Sequence, residues 1–172
     1  WMDVTRTLLH TGWEFAWTEN GAVSGPADWA ALAFRPATVP GTNLTDLQAL
    51  GLVEQATSAT YEDSFSPYRF MDFIYRTSFG AAAVAGRRHV ELCFDGLDTV
   101  CEVWLNGARL GATENCHLGY RFDVTGRLAA ENALVLVFRS PMIEADRRQR
   151  AYGRKFPQQL DLNYMFLRKP PY

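Results

Sequence analysis

Between His89 and Gly107 the chain reads His-Val-Glu-Leu-Cys-Phe-Asp-Gly-Leu-Asp-Thr-Val-Cys-Glu-Val-Trp-Leu-Asn-Gly, two short apolar runs punctuated by Asp-Gly and Asn-Gly. Both dipeptides are strong hairpin signals, because a type I′ turn needs φ > 0 at its two central residues. The segment therefore predicts two strands joined through Asp95-Gly96, then a turn at Asn106-Gly107 into a third strand. Strands at such close spacing fit a β-sandwich or barrel, not an α/β fold.

The neighbouring segments extend that pattern. Trp13, Phe15 and Trp17 alternate with Glu14 and Ala16, which predicts a strand with one buried face. Further strands are expected at 72–79, roughly 89–95, 99–105 and 108–113, then at 120–125 and 132–138. One short helix is expected: Thr42 or Asn43 caps it, Leu44, Leu47 and Leu50 face the sandwich, and Gly51 ends it. Residues 22–35 read as irregular and residues 54–70 as a long loop. After Ser140-Pro141 the chain turns rich in Arg, Gln, Tyr and Pro without a sustained period, so residues 142–172 read as an extended tail. The fold class is all-β, a jelly-roll or galactose-binding-like β-sandwich, and residues 1–172 form one domain, as 172 residues allow.

Composition narrows the function. With 48% hydrophobic and 13% aromatic residues the chain can fill a core. A net charge of −2 gives no general attraction to nucleic acid or an anionic membrane, and neither is expected as a partner. No apolar run approaches the roughly 20 residues of a membrane span. No signal peptide is visible at the start, and the compartment stays unassigned. Cys93, Cys101 and Cys116 are an odd number, which fits reduced thiols, compatible with a cytoplasmic setting, better than a disulfide framework.

Catalytic signals are weak. Glu62-Asp63 reads as part of a solvated loop, and Asp95 and Asp98 as turn residues bonding nearby backbone. His10, His89 and His117 are far apart in sequence, and Cys116-His117 is too little for a zinc site. No phosphate-binding loop, nucleophile elbow or His-Glu-x-x-His helix occurs. No catalytic residue, metal or cofactor is assigned.

Several stretches, in order, resemble the N-terminal sugar-binding domain of family 2 glycoside hydrolases, and within that family the β-mannosidases. They are Trp13-Glu14-Phe15, Val39-Pro40-Gly41 with Asp46-Leu47 and Gly51-Leu52, Asp72 to Phe79, Phe94-Asp95-Gly96-Leu97-Asp98-Thr99 with Leu105-Asn106-Gly107, Tyr120 to Thr125, and Asn132 to Pro141. Arg168-Lys169 resembles the family's pair ahead of Gly-Trp-Asp-Trp-Gly-Pro, whose Asp reaches the sugar; the sequence stops at Tyr172, short of it. Phe73 stands where the family usually has Trp, Leu44 where many members have His, and Cys116-His117 where Met-Phe is usual.

The resemblance implies a non-catalytic domain that packs on a (β/α)₈ catalytic barrel of the same polypeptide and shapes its substrate pocket. The whole enzyme would remove terminal β-mannosides with retention. The alternatives are a stand-alone carbohydrate-binding module, or the same domain of a β-galactosidase or β-glucuronidase. Against the module stands the tail of about thirty residues beyond Pro141. Exposed aromatics stack sugars in such sandwiches, so Trp17, Trp29, Tyr61, Tyr68, Trp104, Tyr152 and Tyr164 are candidates. Tyr61, Tyr68, Trp104 and Tyr164 are singled out for carbohydrate or interdomain contact. The loop around Tyr61, Phe65, Tyr68 and Phe70 is the expected surface toward the barrel.

Overall fold

A computed structural model describes residues 4–153. In chain order the elements are β1 (Glu14–Glu19), α1 (Pro26–Trp29), β2 (Arg35–Pro36), α2 (Asn43–Ala49), α3 (Tyr61–Phe65) running into a 3₁₀ turn (Ser66–Tyr68), and β3 (Met71–Gly80). A second 3₁₀ turn (Ala82–Val84), β4 (Glu91–Phe94), β5 (Cys101–Leu105), β6 (Ala108–Thr113), β7 (Tyr120–Asp123), β8 (Glu131–Phe138) and α4 (Pro141–Tyr152) complete them. The strands form a six-stranded sheet in the order β2-β1-β3-β8-β5-β6 and a two-stranded sheet, β4-β7, with every pairing antiparallel. The all-β sandwich read from the sequence is the observed fold.

The large sheet is covered on both faces. Trp13 and Phe15 before and on β1, Phe73 and Tyr75 on β3, Cys101, Val103 and Leu105 on β5, and Leu134 and Leu136 on β8 share the inner core. Leu92 of the small sheet and Leu47 of α2 close over them. Phe15 and Leu47 are fully buried, and each such side chain contributes roughly 1.5–3 kcal/mol. The intervening residues Ile74, Val135 and Val137 form a second, outer cluster with Val23 and Trp29. This is why Ala16, predicted to face away from the core, is itself buried.

Four expectations change. Asp95-Gly96 does not close a hairpin: β4 pairs with β7, while β5 pairs with β6 and β8, so the Asp-Gly segment crosses between the two sheets. A local turn signal cannot report which sheet the next strand joins. Asn106 (φ 51°) and Gly107 (φ 79°) do make the tight β5–β6 turn. More than one helix is present, since α1 and α3 lie inside segments read as irregular or loop. Leu50 is 36% exposed, unlike Leu47, because it sits beyond the last helical turn as the C-cap.

The largest difference is α4. Residues 142–152, the first eleven of the segment read as an extended tail, are helical together with Pro141; Ser140 caps the helix and the left-handed Gly153 (φ 73°) ends it. The helix buries only Met142, Ala145 and Gln149. It carries i,i+3 and i,i+4 ion pairs instead: Arg147 and Arg148 to Glu144, and Arg150 to Asp146. A helix with so thin an apolar stripe leaves little period to read.

Candidate functional site

The aromatic candidates separate by sheet face. On the inner side, Tyr68 meets Trp17 edge-on at 5.8 Å, Trp17 lies 5.6 Å from Phe15, and Phe15 stacks on Tyr75 at 5.7 Å. Tyr61 stacks on Phe65 at 6.0 Å, and the Arg69 guanidinium lies 5.7 Å from the Phe65 ring while pairing with Glu62. Tyr61, Phe65 and Tyr68 are half-buried against the core, and Phe70 is 50% exposed at the end of this surface. The helical turn α3 and the 3₁₀ turn after it, which contains Pro67, present these rings together.

Trp104 belongs to the other face. Alternation along β5 turns it away from Val103 and Leu105, and it meets Trp29 edge-on at 5.4 Å. Its indole N–H is buried and has no hydrogen-bond partner among the described residues. The structure thus brings Tyr61 and Tyr68 into one neighbourhood and places Trp104 in another. Tyr164 lies outside the described residues.

A buried polar centre holds the end of the large sheet. Asp72, at 0% exposure, receives four hydrogen bonds. Its Oδ1 accepts from Asn20 Nδ2 (2.7 Å) and the Ser140 N–H (2.8 Å). Its Oδ2 accepts from the Gly21 N–H (2.9 Å) and Arg139 Nη1 (2.9 Å). Arg139 also donates to the Val23 carbonyl and, through Nε and Nη2, to Glu102 Oε1 (3.1 and 2.7 Å). Burial works against the charged guanidinium, but the bonds to Asp72 and Glu102 and their charges outweigh it, so the Arg139 pKa rises.

This centre did not stand out in the sequence. Its signal was a charged residue inside an apolar run, Met71-Asp72-Phe73-Ile74, and another closing one, Val137-Phe138-Arg139. Neither says that the two meet across 67 residues.

Asp46, also buried, takes two hydrogen bonds. Asp46 Oδ2 accepts from the Tyr75 hydroxyl (2.9 Å) and Oδ1 from the Thr38 N–H (2.9 Å). Burial, then the Asp46 charge and hydrogen bond, push the Tyr75 pKa upward. Burial and the Glu102 charge raise that of the Cys101 thiol, which packs as a small apolar group. Asp98 accepts a hydrogen bond from the hydroxyl of its neighbour Thr99. Among the described residues no group of three or more His, Cys, Asp or Glu side chains could hold a metal ion.

The profile of the family described as glycosyl hydrolase 2 galactose-binding domain-like matches residues 13–172. The β-mannosidase of Mus musculus is 32% identical over 118 residues, which cover 68% of this chain and 13% of that protein. β-Mannosidase B of Aspergillus flavus is 33% identical over 128 residues, 74% of this chain and 14% of that one. The crystal structure of β-D-mannosidase from Dictyoglomus thermophilum superposes with a TM-score of 0.77 at 27% identity, over 91% of this chain and 18% of its own. The β-glucuronidase of Bifidobacterium dentium gives a TM-score of 0.52 at 28% identity, over 76% and 19%. The chain therefore spans less than a fifth of the length of each relative.

Proposed function

The chain belongs to the glycosyl hydrolase 2 galactose-binding domain-like family, and on that premise we propose that it is the non-catalytic N-terminal domain of a β-mannosidase-like glycoside hydrolase. The observation that carries this reading is the superposition of 91% of the chain on one part of a β-D-mannosidase. The mammalian and fungal β-mannosidases matched at 32% and 33% identity support it.

The chemistry of the domain fits an accessory role. Retaining hydrolysis of a glycoside needs a nucleophilic carboxylate and an acid/base carboxylate about 5–5.5 Å apart. Here the two buried aspartates, Asp46 and Asp72, are occupied by structural hydrogen bonds and offer no poised acid or base. In this reading residues 1–172 act as one unit, and the two catalytic carboxylates belong to a (β/α)₈ barrel elsewhere in the polypeptide.

The half-buried surface of Tyr61, Phe65 and Tyr68, ending in exposed Phe70, packs on that barrel and forms one wall of an exo-acting pocket for terminal β-mannose. Trp104 serves a second surface on the opposite face. The β-glucuronidase likeness at 28% identity keeps a different sugar as the second reading.

The test is an activity screen of the full-length product of this reading frame on aryl β-mannoside, β-galactoside and β-glucuronide. Selective β-mannoside cleavage with retention is expected, together with no turnover by the 172-residue chain alone. Preference for another glycoside overturns the mannosidase assignment, and turnover by the isolated chain overturns the accessory role. A product inert on all three moves the reading to a carbohydrate-binding module.

A further inference from the structure

On the outer face of the large sheet, away from Tyr61 and Tyr68, a cleft of about 390 Å³ opens between the end of β1, the β5–β6 pair and α4. Six charged side chains give it its character: Glu102, Arg109, Arg139, Glu144, Arg147 and Arg148. They are arranged by depth. Glu102, Glu144 and Arg139 are the more enclosed, with side chains 20%, 17% and 17% exposed. Arg109 and Arg147 stand at the rim, 49% and 65% exposed.

The glutamates are already served. Glu102 Oε1 takes two N–H groups of Arg139, and its Oε2 faces Arg109 Nε at 3.4 Å. Glu144 takes Nε and Nη2 of Arg147. The arginines are not equally used. Arg147 keeps Nη1, and Arg109 keeps its Nη hydrogens, without hydrogen-bond partners among the described residues. A guanidinium carries five N–H donors, so the mouth of the cleft has donors in surplus and acceptors in short supply.

An occupant must therefore bring acceptors. With Asp72 beneath Arg139 and Glu114 outside on Arg148, the cluster as a whole is electrically balanced. The attraction is local, from rim guanidiniums set above more enclosed carboxylates. A planar carboxylate matches a guanidinium fork. The volume exceeds what a lone ion fills and lies at the low end for small-ligand pockets. The floor is rigid, since Arg139 is bonded to Asp72, Glu102 and the Val23 carbonyl. The described lining includes no aromatic ring, so stacking on a neutral sugar is not its mode.

We propose that this cleft binds the carboxylate of a monosaccharide-sized sugar acid, a hexuronate, with Arg109 and Arg147 holding the carboxylate and the enclosed glutamates meeting its hydroxyls. The site stands independently of the hydrolase reading, because it uses none of the residues assigned to the barrel contact.

The experiment is an NMR titration of the 172-residue chain with sodium D-glucuronate, D-glucose and sodium sulfate at matched ionic strength, following the arginine Nε–H signals. Glucuronate is expected to shift the Arg109 and Arg147 signals saturably, and glucose to leave them unmoved. Arg109→Gln with Arg147→Gln should weaken glucuronate binding by about tenfold or more, the loss of charge-assisted hydrogen bonds, in a chain that stays folded. If that double variant fails to fold, Arg109→Lys, which keeps the charge and loses the fork, should give a smaller loss of affinity. No saturable shift with glucuronate overturns the proposal, as does equal binding by the variants. An equal response to glucose overturns the carboxylate assignment, and an equal response to sulfate identifies an adventitious ion only.

Discussion

At the scale of single residues, Asp72 carries more of the architecture than any apolar side chain suggests. It joins the β1 turn, β3, the end of β8 and the start of α4 through four hydrogen bonds. Asp72→Asn would face an N–H₂ toward donors and leave the Arg139 charge half-compensated. Breaking a buried pair this way costs about 3–5 kcal/mol. The melting temperature should fall by roughly 10 °C, given about 2–4 °C per kcal/mol for a domain of this size; a fall of only a degree or two would refute the assignment.

Tyr75 makes a second test. Tyr75→Phe removes the hydroxyl from Asp46, which is 2% exposed, at a cost of about 1.5–3 kcal/mol by urea unfolding. Its pH signature has a defined sign. The folded-state pKa is raised above the ordinary 10.0, so its contribution is complete below pH 10.0 and is lost as pH rises beyond it. The Phe variant should lack that component of the alkaline loss.

At the scale of elements, the helix ends are the informative places. Around α2, Thr42 Oγ1 accepts the Thr45 N–H at 3.1 Å while Thr45 Oγ1 accepts the Thr42 N–H at 3.1 Å. Thr42→Ala should cost about 1 kcal/mol in chemical denaturation. At the other end, Leu52 donates to the Leu47 carbonyl and Gly51 to that of Gln48, a Schellman motif around left-handed Gly51 (φ 69°). A Cβ at Gly51 would meet nothing within 4 Å. Gly51→Ala therefore isolates backbone strain and should cost about 1–2 kcal/mol with no change in packing, readable as a shifted urea midpoint at unchanged slope.

Whole-molecule stability rests on how closely the two sheets approach. A Cβ on Gly111 of β6 would lie 2.8 Å from Phe122 Cε1 on β7. Phe122 is itself held edge-on to Phe94 at 6.0 Å, so it has little room to yield. Gly111→Ala should destabilise by about 1–3 kcal/mol through overpacking, measured by thermal unfolding. An unchanged melting temperature would mean that the small sheet gives way freely.

The β-class, the strand at Trp13 to Trp17, the Asn106-Gly107 turn, the Thr42 cap and the Gly51 stop were all determined locally, because they depend on period-2 burial, φ > 0 and a side-chain oxygen three residues from its donor. Tertiary structure alone decided the rest. It sent β4 and β5 to different sheets despite the Asp-Gly between them, and it covered the outer face of β3 and β8 with Val23 and Trp29. It buried Met142, Ala145 and Gln149 of the helix at 141–152, and it set Asp72 against Arg139. It also parted Trp104 from Tyr61 and Tyr68, since alternation along β5 fixes opposite faces but not what covers each. Pairing and burial at separations of tens of residues are global balances of packing and desolvation, and no window of sequence contains both partners.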